Sequence, residues 1–269
     1  MTPVRLALIG SGNVASALAP AFAASPDVDL AAIYSPTPGH AAALASGLSP
    51  QPEAVGRLAD LPRDADVYLI AVKDDRVASV ALEAAGLFPP QALWLHTSGS
   101  VPAEALAPAG GGYGVLYPLQ TFSKGVSVNL RELPVFIEAD TPAGLEKARR
   151  LAATISPIIR EADSDLRKLM HVAAVFACNF ANYFWTVADS ILRRGPGLDL
   201  SVLHPLLKET LRKAIAEGPG GSQTGPARRG DRGVIEAHKS LLGDTDEARL
   251  YGEISEAIIR HYNQTNNTL

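Results

Sequence analysis

A glycine-rich turn lies within the first fifteen residues of the chain. Gly10, Gly12 and Ala15 have the spacing G-x-G-x-x-A, between an apolar strand pattern and an Ala-rich helix pattern. The first glycine permits a tight turn, the second lets backbone N–H groups approach a pyrophosphate, and the small third residue keeps the helix close to the sheet. The sequence therefore predicts a dinucleotide site formed by Gly10, Ser11, Gly12, Asn13 and Val14.

The end of the second predicted strand bears on the choice of dinucleotide. Tyr34 is followed by Ser35 and Pro36, and the next acidic residue is Glu53. A site for NAD usually places a carboxylate here to bind the ribose 2′-hydroxyl. Because no carboxylate would repel a 2′-phosphate, the sequence favours NADP over NAD, with Ser35 at the ribose. His40 is the nearest candidate cation, although it could equally be a solvated helix residue.

Polar residues also follow the later predicted strands. Ligands of doubly wound sheets lie beyond the carboxyl ends of the strands. We therefore expect Val72, Asp75 and His96 to border the cofactor, and Ser98 to hydrogen-bond a substrate carboxylate or carbonyl. Asp75 could instead cap the next helix, and Ser98 could cap the helix after it.

Four more residues are candidates for binding the substrate. Gln120 and Thr121 follow the next strand, where they could contact a substrate or belong to a simple loop. Arg228 and Arg229 follow a Gly-Pro turn. Guanidinium groups bind carboxylates bidentately, which suits an acidic substrate, whereas the alternative is a basic surface loop.

A long predicted helix, Asp163–Arg194, carries a polar stripe on an otherwise apolar sequence. Lys168, His171, Asn179 and Asn182 are spaced so that they share one helical face. Burying such groups without partners costs about 1–3 kcal/mol each, so they either pair with other helices or line a cleft. We favour the cleft, with His171 as first and Lys168 as second candidate for the proton donor that reduction of C=O or C=N requires. Asn179 would orient the substrate.

Two halves of the chain would position these residues. Apolar strand patterns alternate with helix patterns up to about residue 155, which predicts a parallel, doubly wound α/β Rossmann domain over residues 1–155. Only helices are predicted over residues 156–269, as a domain for substrate binding and dimerisation. The predicted strands are Val4–Ile9, Leu30–Tyr34, Val67–Val72, Leu93–His96, Gly114–Tyr117 and Val135–Glu138.

Composition narrows the classes of function. The 269 residues carry 24 basic and 28 acidic side chains, which gives no electrostatic reason to expect a nucleic-acid or membrane partner. A lone cysteine, Cys178, excludes a disulfide framework and a Cys-rich zinc site, and no metal is expected.

The N-terminus does not have the pattern of a signal peptide, and no apolar run is long enough for a membrane helix. We expect a cytoplasmic protein with a small-molecule substrate. Apolar faces on the last helices favour a homodimer, although an intrachain core is equally plausible.

The segments taken together resemble a known family. They are Gly10–Ala15, His96–Ser100, Pro118–Phe122, His171–Phe180 and Thr224–Asp231. In this order they resemble Rossmann-like NADP oxidoreductases with a C-terminal helical domain of uncharacterised function, and more widely the 6-phosphogluconate dehydrogenase, ketopantoate reductase and pyrroline-5-carboxylate reductase enzymes. The chain departs from the family pattern at Tyr117, where a histidine is expected, and at Pro36, where an arginine is expected.

The resemblance implies hydride transfer between NADP(H) and a small carboxylate-bearing keto or imino acid, with a ketopantoate-like acid as the leading hypothesis. Two alternatives stay open. The chain could be a non-catalytic module that senses NADP(H), or a reductase that uses a deazaflavin cofactor.

Overall fold

The computed structural model describes residues 2–266. The chain forms two compact units that divide between Val175 and Phe176. The first unit is an α/β domain and the second is helical, which confirms the predicted fold class.

The first unit is built on one sheet of eight strands. Their order across the sheet is β3-β2-β1-β4-β5-β6-β7-β8. All neighbouring strands are parallel except β6 and β7, which are antiparallel. The strands are β1 (Val4–Ile9), β2 (Val28–Tyr34), β3 (Glu53–Val55), β4 (Val67–Ile70), β5 (Leu93–His96), β6 (Gly112–Pro118), β7 (Val135–Ala139) and β8 (Ile159–Glu161).

The sheet is mostly parallel, as predicted, and departs from that pattern only where β7 runs antiparallel to β6. A parallel connection needs a crossover of a dozen or more residues, usually a helix. Between Pro118 and Val135 the only helical element is one 3₁₀ turn, Leu130–Glu132, so the chain turns back beside β6.

Helices cover both faces of the sheet. Side chains of β1 alternate between two cores: Leu6 and Leu8 face one, and Ala7 and Ile9 face the other. The first core includes Phe22, and the second includes Tyr68 and Trp94. The helices of this unit are α1 (Asn13–Ala24), α2 (Pro38–Ala45), α3 (Asp74–Ala84), α4 (Pro142–Ile155) and α5 (Ser164–Ala174), with 3₁₀ turns at Leu58–Asp60 and Ala103–Ala109.

The second unit has a small core, and its helices α6 and α7 contain no fully buried residue. Ala227, Ile235 and Ile259 form the buried cluster. In the part of the chain that the structure describes, no helix is both long and apolar enough to cross a membrane. The helices are α6 (Ala181–Leu192), α7 (His204–Glu217), α8 (Pro219–Ser222), α9 (Pro226–Arg229), α10 (Arg232–Leu242) and α11 (Asp246–Asn266), with a 3₁₀ turn at Leu200–Leu203.

Two boundaries differ from the sequence prediction. The predicted domain boundary after residue 155 falls before β8, which pairs with β7 and therefore belongs to the sheet. The predicted helix Asp163–Arg194 is helical from Ser164 to Leu192 but is π-helical over Val175–Phe180. A π turn closes i→i+5 hydrogen bonds. The α-helical spacing that put His171 and Asn179 on one face therefore does not hold across it.

Candidate active site

The predicted glycine turn forms a cradle after β1. Gly10 has φ +124°, and a Cβ atom there would lie 2.3 Å from the carbonyl oxygen of Ala71. Gly12 is the N-cap of α1 and has no protein atom within 4 Å of its Cβ position. No side chain caps the N-terminus of α1. The open space beside Gly12 and the uncapped start of α1 both face a cavity of about 590 Å³, which Gly10–Val14 line. The backbone N–H groups at this helix start are therefore open to an anionic ligand.

Ser11, Asn13 and Ser35 support the cradle through their side chains. The hydroxyl of Ser11 donates to Ser35 Oγ at 3.1 Å. Ser35 is only 3% exposed, and its hydroxyl oxygen also accepts from the backbone N–H of Thr37 at 3.4 Å. The amide of Asn13 donates to the carbonyl oxygen of Phe122 at 3.0 Å. All three residues line or adjoin the cavity, and their polar groups also hold the surrounding loops in place.

The loop after β4 forms another wall of the cavity. Val72, Lys73 and Arg76 line it, as Val72 was expected to do. Asp75 is exposed and is not among the lining residues. It is not the cap of α3 either, because that helix begins one residue earlier, with Lys73 at the N-cap. The structure therefore contradicts the capping role of Asp75, and its contact with a cofactor stays a prediction.

His96, at the end of β5, is completely buried. Its Nδ1 accepts from the backbone N–H of Ser98 at 3.1 Å, and its Nε2 lies 3.4 Å from the carbonyl oxygen of Pro102. Burial lowers the pKa of His96 to about 4, and the positive charge of Arg167 adds to that effect. A neutral, enclosed imidazole with both nitrogens engaged orders the loop 97–102. This placement is at odds with the predicted direct contact between His96 and a cofactor.

The hydroxyl groups after β5 join two loops. Ser98 Oγ accepts from the backbone N–H groups of Ser100 and Val101, both at 3.1 Å, so it caps this turn. Ser98 is 6% exposed, which favours the capping alternative over a direct catalytic role. Ser100 Oγ donates to the Asp74 carboxylate at 2.5 Å. Because Asp74 follows Lys73, the loop after β5 is fastened to the wall of the nucleotide cavity.

Tyr117 and His171 form the pair best placed for proton chemistry. The Tyr117 hydroxyl lies 3.2 Å from His171 Nδ1. A Cβ atom on Gly99 would lie 2.6 Å from His171 Nδ1 and 2.8 Å from Tyr117 Cζ, so only glycine allows this close approach. Burial raises the pKa of Tyr117, and the negative charge of Asp74 raises it further. The phenol therefore stays protonated near neutral pH and can either donate to or accept from the imidazole.

A buried ion pair fixes the elements around this pair of rings. Arg167 is completely buried and pairs with the Glu138 carboxylate. It also donates to the carbonyl oxygen of Val101 at 2.6 Å and to Ser164 Oγ at 3.2 Å. One guanidinium group thus links β7, the loop after β5 and helix α5. His171 lies one helical turn further along α5, so the ion pair helps to set its position.

The other predicted residues lie as follows. Lys168 pairs with Asp165 at 3.3 Å on the exposed side of α5. The amide oxygen of Gln120 accepts from the backbone N–H of Thr121 at 2.8 Å, and both residues are exposed. Asn179 is exposed in the π-helical turn. Arg228 stacks on the ring of Tyr262, 4.3 Å from its centroid, and Arg229 is exposed at the end of α9. Their predicted substrate contacts remain predictions.

Tyr117, Arg167 and Asp74 are absent from the predicted site residues. In the sequence Tyr117 differs only as a departure from the family pattern, and neither Arg167 nor Asp74 belongs to a motif. The strand-end rule could have found Tyr117, because β6 ends one residue later at the same edge as β1 and β5.

Fold and cradle together define a class: a nucleotide-binding Rossmann protein followed by a helical domain. Residues 5–93 match the family described as NADP oxidoreductase, coenzyme F420-dependent, and residues 133–258 match a domain of unknown function, DUF2520. The chain is 36% identical to "putative NADP oxidoreductase BF3122" from Bacteroides fragilis, over 96% of this chain and 98% of that one, with a TM-score of 0.87. The chain belongs to this family of NADP oxidoreductases with a DUF2520 domain.

More distant structures share the fold. An imine reductase from Myxococcus stipitatus, in complex with NADP+, has 14% identity, a TM-score of 0.65 and coverage of 98% of this chain and 94% of that one. A reductive aminase from Aspergillus terreus, in complex with NADPH and ethyl-5-oxohexanoate, has 17% identity, a TM-score of 0.59 and coverage of 97% and 88%. No curated protein matches the chain.

The cradle fits the cofactor of this family. The space beside Gly12, the uncapped start of α1 and the 590 Å³ cavity together admit a dinucleotide pyrophosphate. The chain is an oxidoreductase that uses an NADP-type nucleotide and acts on a small molecule.

Proposed function

We propose that the protein reduces a C=N or C=O bond in a small carboxylate-bearing imino or keto acid, with His171 as proton donor. The observation that carries this proposal is the Tyr117–His171 hydrogen bond beside Gly99. The Asp74–Ser100 bond joins this region to the wall of the nucleotide cavity. The imine reductase and reductive aminase that share the fold support a C=N substrate, and a ketopantoate-like keto acid is the alternative within the same chemistry.

The proton would come from the imidazole. NADPH, when bound, supplies the hydride that adds to the substrate carbon. Protonated His171 keeps its Nδ1–H on the oxygen of Tyr117 and transfers the Nε2 proton to the substrate nitrogen or oxygen. Among residues 2–266, Nε2 has no hydrogen-bond partner, so it is available to a reactant. The neutral imidazole then regains its proton from solvent. Lys168 is a weaker candidate because its ammonium pairs with Asp165.

The test is NADPH oxidation, followed at 340 nm, with a panel of cyclic imino acids and 2-keto acids. We expect His171→Ala to lower kcat by about 100-fold or more, the usual contribution of a general acid. Tyr117→Phe keeps the ring but removes one hydrogen bond, so a loss of about 10-fold is expected. Lys168→Met is the matched control on the same helix and should keep its activity. Undiminished turnover by His171→Ala would refute the assignment.

A deazaflavin is the second candidate acceptor. The family matched by residues 5–93 is described as dependent on coenzyme F420. The same NADPH assay with an oxidised deazaflavin in place of the organic acid separates the two functions. Turnover with the deazaflavin and with no imino or keto acid would favour this second candidate. Calorimetric binding of NADPH without turnover of either class would favour a sensing module.

We also propose that the protein works as a homodimer. Helices α6 and α7 contain no fully buried residue, although α7 carries Leu211 at 63% and Ile215 at 77% exposure. Isolated helices of this length are marginal in water, and most helices are stabilised by packing of an apolar face. A second copy would supply that packing. Light scattering should give the mass of a dimer, and Leu211→Glu should shift the mass towards a monomer. Leu82→Glu, at an equally exposed position on α3, is the control that should leave the mass unchanged.

A further inference from the structure

The wall of the nucleotide cavity carries two cationic side chains, Lys73 and Arg76, that do not lie beside Ser35 in the sequence. His40 also lines the cavity. The segment Ser35–Thr37 at the end of β2 carries neither a carboxylate nor an arginine, and Glu83 is the only acidic residue among the lining. A cation that binds a 2′-phosphate must therefore come from a part of the cavity wall other than Ser35–Thr37.

Arg76 lies near the end of β2, although it belongs to α3. Its guanidinium is 3.5 Å from the Glu83 carboxylate, two helical turns further along, and both side chains are more than half exposed. The two charges act on Tyr34, the last residue of β2. Burial raises the pKa of Tyr34, Glu83 raises it further, and Arg76 lowers it. Arg76 and Glu83 thus face the residue that directly precedes Ser35.

We propose that Arg76 binds the 2′-phosphate of NADP and so supplies the cation that the segment after β2 lacks. A guanidinium keeps its charge at every relevant pH and can bind a phosphate through two parallel N–H donors. Glu83 holds the side chain against the cavity wall in the free protein. Because that ion pair is exposed, it contributes little stability and a dianionic phosphate can displace it.

The proposal rests on the use of an NADP-type nucleotide but not on the proton chemistry at His171. It is tested by binding alone, without turnover. Calorimetry compares adenosine 2′,5′-bisphosphate with 5′-AMP, two probes that differ only in the 2′-phosphate. The wild-type protein should prefer the bisphosphate by at least 10-fold. Arg76→Met should weaken bisphosphate binding by about 10- to 100-fold, the range for a lost charged hydrogen-bond pair, and should change 5′-AMP binding by less than about 3-fold.

Two matched variants sharpen the experiment. Lys73→Met removes a neighbouring charge from the same wall and should keep most of the preference. Glu83→Gln removes the competing carboxylate and should tighten bisphosphate binding. The assignment is overturned if Arg76→Met keeps the wild-type ratio, if it weakens both probes equally, as loss of an adenine contact would, or if Lys73→Met alone removes the preference. A wild-type protein that does not distinguish the probes would also overturn it. Circular dichroism checks that each variant is folded.

Discussion

Alanine at the two glycines of the cradle should affect different properties: stability at Gly10 and nucleotide affinity at Gly12. At Gly10, φ is +124° and a Cβ atom would lie 2.3 Å from a backbone oxygen of Ala71. The strained dihedral costs about 1–3 kcal/mol and overpacking against backbone a similar amount. We therefore expect Gly10→Ala to lower the free energy of unfolding by roughly 4 kcal/mol, a large part of the total for a typical domain.

Gly12→Ala should be nearly neutral for stability. A Cβ atom there meets no protein atom within 4 Å, and its φ of −80° suits any residue. Alanine is a poorer N-cap than glycine, but it also reduces the entropy of the unfolded chain, and each effect is worth about 0.5–1 kcal/mol with opposite sign. The added methyl group occupies the space through which a pyrophosphate approaches. We expect the affinity for NADPH to fall by at least about 10-fold, which is 1.4 kcal/mol of binding free energy.

Urea unfolding without nucleotide, followed by calorimetry with NADPH, separates the two effects. The wild-type protein should gain about 2.7 kcal/mol of stability at a ligand concentration 100 times Kd. Gly12→Ala should match the wild type without ligand and lose part of that gain at the same concentration. Wild-type affinity in Gly12→Ala would refute the cradle. Equal stability of the two variants would refute the account of Gly10.

Two further predictions concern the buried polar groups. His96 has its pKa lowered from 6.5 to about 4 in the folded protein, so the unfolded chain binds more protons between these values and stability falls as the pH drops through this window. Between pH 7 and pH 5, urea unfolding should show that the free energy of unfolding falls by about 2 kcal/mol because of this group. The fall should be smaller in His96→Gln. An equal fall in the wild type and the variant would contradict the lowered pKa of His96. Arg167→Met leaves the Glu138 carboxylate unpaired, which should cost about 3 kcal/mol, whereas Arg149→Met removes an exposed ion pair with Glu161 and should cost less than about 1 kcal/mol. Similar costs for the two arginine variants, measured by urea unfolding, would show that the burial of Arg167 does not matter.

The prediction from sequence was strongest where structure depends on neighbours along the chain. Apolar periodicity identified six of the eight strands, and it missed only β3 and β8, which have three residues each. It also missed the reversal of β7, because strand direction depends on the path of the connection. The spacing of Gly10, Gly12 and Ala15 predicted a turn whose φ angles and open space the structure then showed.

The rule that ligands lie beyond the carboxyl ends of strands treats the ends of β5 and β6 alike. The structure shows that the side chains at these two strand ends differ in environment. His96 is sealed by Pro102 and lies near the charge of Arg167, whereas Tyr117 meets His171 across the space left by Gly99. These contacts join residues that are distant in sequence, and no local pattern reports them.

The sequence by itself determined six strands of the sheet, the turn after β1 and the resemblance to the family, because each depends on short-range spacing. Only the tertiary structure decided which polar side chains are enclosed and which are exposed. That outcome depends on burial and on charges brought together by folding, and Arg76 facing the end of β2 from another helix is a further instance.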